Sequence, residues 1–421
     1  MNSKKYFLIN LRQYLVLYIV SFALLATSAA TSVLSFTMYK AEYFVDGLPA
    51  GDYGVAVGGG ILSSPFASMY IIFFILLLIA PLFAMSYRYS LPASDAYRQV
   101  AQKKNSIRIM NHMTILGALV VIFSVVFWIM FLALILKYNY GKIPENNIST
   151  IVYDEGFTQT TEIRYSRLDI HFGYFVLMYA LFIGFGIFQY FISYFFVSRS
   201  NRMINSVFTL LFGELALALL MFSIYSLINI FDTIDTSSPY SVIGGLFNSS
   251  YIYDETVKYP INQIAGSANS SIFFPIMLLC YLCEPKFTGQ TTPYDKMTGD
   301  QIGVFVVSLI IFVLMAILGA LSMILEKDPS GEYAGKPETH NNHQYIVFHI
   351  GAGSIGLAIV SLLYFNIIAC LVVLAILIAL YFVFIGVFRR NFKIDLKNLI
   401  PYVSVSLVCF VLGLVLSLIN M

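Results

Sequence analysis

Apolar residues run through this chain in long blocks, broken by short polar intervals. A helix that crosses about 30 Å of hydrocarbon needs about 20 such residues. Nine blocks reach that length: Tyr14–Tyr39, Phe66–Met85, Met113–Leu136, Phe172–Val197, Ile204–Phe231, Ile302–Leu325, Ile346–Phe365, Ile367–Phe388 and Leu399–Ile419. The seventh and eighth form one continuous run that is too long for a single crossing, so the pattern predicts a break near Asn366. A tenth block, Ile272–Cys283, is much shorter and reads as re-entrant or interfacial. The first block ends in small residues, Ala26-Thr27-Ser28-Ala29-Ala30, yet its apolar core exceeds that of a cleaved signal, so it reads as a retained span.

Composition narrows the class. Of 421 residues, 59% are hydrophobic and 11% are charged. Soluble domains carry roughly 25% charge, and too little is present here to cover a soluble surface of this size. The pattern excludes a soluble enzyme, a disordered scaffold and a nucleic-acid binder. The expected fold is all-α: a polytopic membrane protein of about nine spans, a six-span core followed by three more, with one short re-entrant segment on the outer face. Four cysteines are too few for a disulfide framework, and Cys280-x-x-Cys283 lacks the strand-to-helix context of a redox motif. No Cys/His cluster has zinc-site spacing, and no metal site is expected.

The net charge is only +2, so what informs is where the charges sit. With the N-terminus inside, alternate loops hold Lys4, Lys5 and Arg12; Arg88, Arg98, Lys103, Lys104 and Arg108; Arg199 and Arg202; Lys327 and Lys336; and Arg389, Arg390, Lys393 and Lys397. These are 16 of the 24 basic residues, whereas 15 of the 22 acids fall in the opposite loops. Basic loops favour the cytoplasm, so the N-terminus is expected inside and the C-terminus outside; the membrane expected is the plasma membrane. Were Ile272–Cys283 to cross, the Arg389–Lys397 loop would face outward against this rule. The outer loop Lys40–Pro65 carries Gly51, Gly54, Gly58, Gly59 and Gly60 and reads as a flexible linker. In Lys137–His171, alternation such as Ile148-Ser149-Thr150-Ile151-Val152 is compatible with a small hairpin.

Two inner loops carry the strongest motifs. In Ser86–His112, residues Asp95–Lys104 read as a short amphipathic helix capped by Ser94 or Asp95. Ala96, Tyr97, Val100 and Ala101 share one side, and Arg98, Gln99, Gln102 and Lys103 the other. Such a helix can lie on a membrane surface or dock in a partner's groove, or the loop can simply set topology. In Glu326–Gln344, Gly331-x-x-x-Gly335-Lys336 is one residue short of a nucleotide-binding loop, and Pro337 stands where the magnesium-binding Ser or Thr belongs. The chain is therefore expected to have no ATPase site of its own.

These loops resemble those of the permease subunits of bacterial ATP-binding cassette (ABC) transporters of the type-2 permease superfamily. The first resemblance is the aromatic-Ser and Ser-Asp-x-Tyr stretch Tyr89-Ser90 and Ser94-Asp95-Ala96-Tyr97, followed by a basic segment. Many relatives have a proline soon after the Tyr, where this chain has Val100-Ala101. The second is Glu332-Tyr333-Ala334-Gly335, similar to the family's Glu-x-Ala-Gly. A short coupling helix after span two and re-entrant helices before span six also match the family's order. The resemblance implies a permease core over 1–325, with its coupling helix near 94–104 and re-entrant segment near 272–283. A cytoplasmic loop at 326–345 and three further spans at 346–421 follow. It implies docking of a separate ABC ATPase through Ser94, Asp95, Tyr97, Arg98, Lys103, Lys104, Glu332 and Gly335. ATP and magnesium would sit on that partner, with no cofactor or catalytic residue on this chain, and a second permease copy or paralogue would complete the assembly. The implied task is movement, outward, of a lipid, peptide, antibiotic or glycan.

Glu214 is the one ionisable residue deep within a predicted span. A charge there costs about 2.5–3.5 kcal/mol on insertion scales, so it should face the bundle. It reads equally as a proton or cargo contact or as a hydrogen-bonded structural group. The first option keeps open a proton-coupled carrier; a membrane lipid-modifying enzyme would need convergent acids, His or metal ligands that the sequence does not display. Trp128 reads as packing, His349 and His171 as interface hydrogen-bonding residues, and Ala352-x-x-x-Gly356 as a close helix contact.

Overall fold

The computed structural model describes residues 12–35, 37–45, 48–57, 65–89, 104–140, 147–152, 158–166, 172–231, 299–325, 343–362, 367–386, 394 and 396–419. Within them the apolar blocks form helices α1 (Leu15–Ser35), α2 (Pro65–Ala84), α3 (Lys104–Tyr140), α4 (Phe172–Val197), α5 (Met203–Phe231), α6 (Gly299–Leu325), α7 (His343–Leu362), α8 (Ile367–Phe384) and α9 (Leu396–Ile419). Each predicted block thus contains a helix; Asn366, near which a break is expected, lies outside the described residues. Four helical stretches, Leu15–Leu34, Ser68–Arg88, Ile109–Lys137 and Phe175–Val197, are long and apolar enough to cross a membrane. Shorter apolar stretches lie in the other five helices.

Along α3, Ile115, Leu119, Phe123, Val126 and Met130 are buried, while Val121, Val125, Ile129 and Leu132 on the opposite face are about half exposed or more. A helix that is apolar on both faces needs a protein neighbour on one and an apolar solvent on the other. The same holds for α8, where Val373 and Leu377 are buried and Ile368, Leu371 and Ile378 are exposed.

The described residues are predominantly helical, but four strands modify the all-α expectation. Strands β1 (Thr37–Val45) and β2 (Leu48–Val57) form one antiparallel hairpin, and β3 (Asn147–Val152) and β4 (Thr158–Ser166) another. They join through β1 and β4 into one sheet of order β2-β1-β4-β3. The sheet ties the segment between α1 and α2 to the segment between α3 and α4, so it links the two connections at one end of the bundle. Two expectations are corrected here. Gly51 and Gly54 belong to a paired strand rather than to a flexible linker, and Thr37–Tyr39, expected at the end of the first span, belong to β1. The register shifts between Tyr43 and Phe44, where Phe44 pairs with Pro49 and Tyr43 with Gly51. Pro49 lacks an N–H, and β2 is an edge strand, where a proline is tolerated.

Three clusters of buried residues hold the helices together. The first joins α1 to α4 around Tyr70, Phe73, Phe123, Phe127 and Phe182. Phe73 stacks on Phe123 at 4.0 Å and Tyr70 on Phe182 at 4.4 Å. Trp128 packs there, edge-on to Phe127 and Phe131 and against Tyr179. A second cluster joins α4, α5 and α6 through Phe185, Tyr194, Phe196 and Phe312. The third joins α5 to the last three helices, with Phe348 stacked on Phe212 at 4.7 Å and on Phe384 at 4.1 Å.

Bare glycines permit the closest of these approaches. A Cβ on Gly319 of α6 would run into the backbone carbonyl of Phe191 on α4. On α7, Gly351 faces Phe212 and Ala216 of α5, Gly353 faces Cys409 and Val405 of α9, and Gly356 faces Leu377 of α8. The small residues around Ala352-x-x-x-Gly356 therefore serve three neighbours, which makes α7 the hub of the C-terminal part.

Candidate functional site

The end of the bundle opposite the sheet holds a layer of buried polar side chains. It is assembled from the C-terminal ends of α2, α4 and α6 and the N-terminal ends of α3 and α5. These are the ends that the basic-loop pattern assigns to one side. After α2 the chain makes a tight 3-10 turn at Ser86–Arg88, which brings Arg88, 2% exposed, into the interior. Asn111 of α3 donates from Nδ2 to the carbonyl of Ala84 at 2.7 Å, holding the start of α3 against the end of α2. Beside it, His112 Nδ1 and the Tyr190 hydroxyl on α4 share a hydrogen bond of 2.7 Å, and the His112 ring meets Tyr194 edge-on at 4.8 Å.

Arg199 closes the layer on its other side. It stands just past the end of α4, and its Nε donates to the Phe195 carbonyl at 3.0 Å. Its guanidinium lies over the Phe195 ring at 4.3 Å, and Nη2 donates to Ser322 Oγ of α6 at 2.7 Å. A cation at a helix C-terminus is favoured by the helix dipole. Here it also links α4 to the last turn of α6, 123 residues away.

Between α4 and α5 lies a turn that is almost wholly out of solvent: Ser198, Ser200 and Asn201 are fully buried and Arg199 is nearly so. Connecting segments normally run over the surface, because their backbone groups need partners. This one meets part of that need within itself. The Ser198, Arg199 and Ser200 N–H groups bond back into α4, Ser200 Oγ accepts from the Arg202 N–H at 3.2 Å, and Ser206 Oγ donates to the Ser200 carbonyl. Tyr89 from the turn after α2 lies beside Ser206. Burial pushes its phenol up to about 12, against the opposing pull of the Ser206 hydroxyl and Arg88.

Deeper along α4 and α5, Gln189 is fully buried, and its Nε2 donates to Glu214 Oε1 at 2.6 Å and to Ser193 Oγ at 3.1 Å. Glu214 thus faces the bundle, as its burial cost requires. This arrangement can hold a proton or a polar ligand between α4 and α5, and it can equally lock the two helices. Among the described residues, no three of His, Cys, Asp and Glu come together in a way that could hold a metal ion.

The proposed docking residues divide. Ser94, Asp95, Tyr97, Arg98, Lys103, Glu332 and Gly335 lie outside the described residues, as do Ile272–Cys283, His171 and most of the 326–345 loop. Lys104 was expected to end a short separate helix; it opens the long helix α3. The loop expected over Ser86–His112 is correspondingly narrower, because Lys104–His112 continue the helical hydrogen bonding of the third span instead of breaking it. His349 is also corrected. In place of the expected hydrogen bond, its ring lies among aromatic rings, with Tyr402 at 5.5 Å and Phe384 at 6.1 Å, and its Nδ1 has no hydrogen-bond partner. Asn111, His112, Gln189 and Asn201 were not anticipated. Their signal was available: polar residues inside or immediately flanking otherwise apolar blocks.

The fold and this layer define a class: a predominantly helical, membrane-embedded protein with, among the described residues, a layer of buried polar side chains inside one end of its bundle. Compared with protein-family models, curated proteins and solved structures, the chain matches none.

Proposed function

We propose that this chain is the membrane-spanning permease subunit of an ABC transporter, with nine spans and with the buried polar layer at its cytoplasmic end. A separate ATPase subunit hydrolyses ATP there, and the permease moves its substrate outward across the plasma membrane. One observation carries the reading. The two loops with family-like motifs, 90–103 and 326–342, leave the bundle from the same polar layer. The first departs directly after Tyr89, which lies beside Ser206. The second departs after Leu325, three residues beyond Ser322, which Arg199 holds. An ATPase engaging both loops would pull on the ends of α2, α4, α5 and α6 through short, buried contacts. Coupling between distant sites requires such a rigid connection.

A second reading, a proton-coupled carrier, is favoured by the Gln189–Glu214 contact alone. Affinity purification of the tagged chain from its native membrane separates the two. The permease reading expects an ABC ATPase to co-purify, and deletion of residues 95–104 to abolish the association. Purification without an ATPase, or association unchanged by the deletion, contradicts it.

A further inference from the structure

The buried turn between α4 and α5 contains more donors than its own contacts use. The Arg202 carbonyl accepts the Ser206 N–H at 2.8 Å, which makes Arg202 the residue that caps α5. Helix N-termini expose N–H groups that a Ser, Thr, Asp or Asn side chain usually accepts. Arginine has donors only, so the first-turn N–H groups of α5 receive no acceptor from their own cap. Two asparagines frame that turn. Asn201 is fully buried, and neither its Nδ2 nor its Oδ1 has a partner. Asn205, 1% exposed, sits in the first turn, where helix side chains tilt back toward the N-terminus, and its Nδ2 has no partner. Buried amides of this kind are rarely left unsatisfied.

Among the described residues, the charges at the turn have one sign. Arg199 and Arg202 lie within it, and Tyr89, which Arg88 precedes in the chain, lies beside Ser206. Residues 198–206 contain no acid. Directly beside these donors, Met203 and Ile204 are 55% and 64% exposed, and Leu211 and Leu215 continue that exposed apolar stripe along α5. A dense set of donors in a basic setting, next to a lipid-facing stripe at a helix end, suits an oxyanion at the depth of lipid headgroups.

We propose that the first turn of α5, with the side-chain amides of Asn201 and Asn205, is a binding site for a phosphate group, carried by a membrane phospholipid or by a free phosphate compound. The phosphate oxygens accept from the free N–H groups of the turn and from the two asparagines, and Arg88, Arg199 and Arg202 supply the balancing charge. The site is independent of any ATPase and of the transport reading above.

Thermal unfolding of the full-length, delipidated protein in neutral detergent tests the proposal. Inorganic phosphate, phosphatidylglycerol and diacylglycerol are added separately. The expected result is a rise of several degrees in Tm with a phosphate-bearing probe and none with diacylglycerol. A rise with inorganic phosphate identifies a free-phosphate site, and a rise with phosphatidylglycerol alone identifies a headgroup site. The Asn201→Asp and Asn205→Ala variants are expected to lose the rise. Absence of a rise in the wild type, an equal rise with diacylglycerol, or a full rise retained in both variants overturns the proposal. The wild-type titration decides the question even if a variant does not fold.

Discussion

The two ends of this bundle are connected by different chemistry. At the sheet end, strands β1 to β4 join the chain segments through backbone ladders. Lys137 adds to this by donating to the carbonyls of Val33 and Leu34 at 2.6 and 2.9 Å, which caps the C-terminus of α1 from the end of α3. At the polar end, side chains carry the connections: Asn111 to Ala84, His112 to Tyr190, and Arg199 to Ser322. A backbone ladder needs many bonds to break together before its strands can separate. A few side-chain bonds can exchange one at a time, so the polar end has fewer bonds to break together. This difference fits the permease reading, in which the outer end is clamped and the inner end receives the motion of an ATPase.

The comparison can be broken from several directions. The largest effect is expected where neither end but the middle of the bundle is forced apart. Gly319→Val drives a branched side chain into the Phe191 carbonyl and should cost about 3 kcal/mol or more by overpacking. It is checked by Tm and by monodispersity in detergent. Its control is Gly356→Ala, where the new Cβ would meet Leu377 at an ordinary 3.4 Å and stability should change by less than about 0.5 kcal/mol.

Arg199→Ala comes next. It strips Ser322 of its partner and removes the cation over the Phe195 ring, for an expected loss of about 2–3 kcal/mol. Arg199→Lys should recover only part of this, because an ammonium cannot reproduce the planar fork. At the opposite end, Lys137→Met removes one exchangeable cap while the strand ladder stays intact, and about 1 kcal/mol should be lost. If Lys137→Met proves more damaging than Arg199→Ala, the ordering of the two ends is wrong. Glu214→Gln preserves a hydrogen-bonding group opposite Gln189 and should leave expression and Tm within about 1 kcal/mol of wild type. A fall in transport at unchanged Tm would give Glu214 a functional role; unchanged transport and an unchanged pH profile would make it structural.

The helices were legible because lipid imposes length and apolarity on any segment that crosses it. The apolar block Phe172–Val197 coincides with α4 to the residue. The sheet was less visible. Outside the bilayer no solvent imposes a continuous apolar run, and the glycines of β2 suggested a linker. A signal was present in Tyr39, Ala41, Tyr43 and Val45 alternating with other residues, followed by Asp46-Gly47, the dipeptide favoured in two-residue hairpins. The register, with Val45 opposite Leu48, fits that length. The arginines of the polar layer were legible only as loose charges. Arg88 and Arg199 were counted as loop residues, yet both are buried. Their partners come from other helices, and one-dimensional periodicity carries no information about a bond such as Arg199 to Ser322.

The central claim, that the buried polar end faces the cytoplasm and the sheet end faces outward, is tested most directly by paired reporter insertions in living cells. Alkaline phosphatase, active only outside the cytoplasmic membrane, is inserted after Ser94 and, separately, after Gly47. The account predicts activity after Gly47 and none after Ser94. Activity after Ser94 with silence after Gly47 would contradict the orientation, and equal activity at both sites would contradict the division of the molecule into two ends.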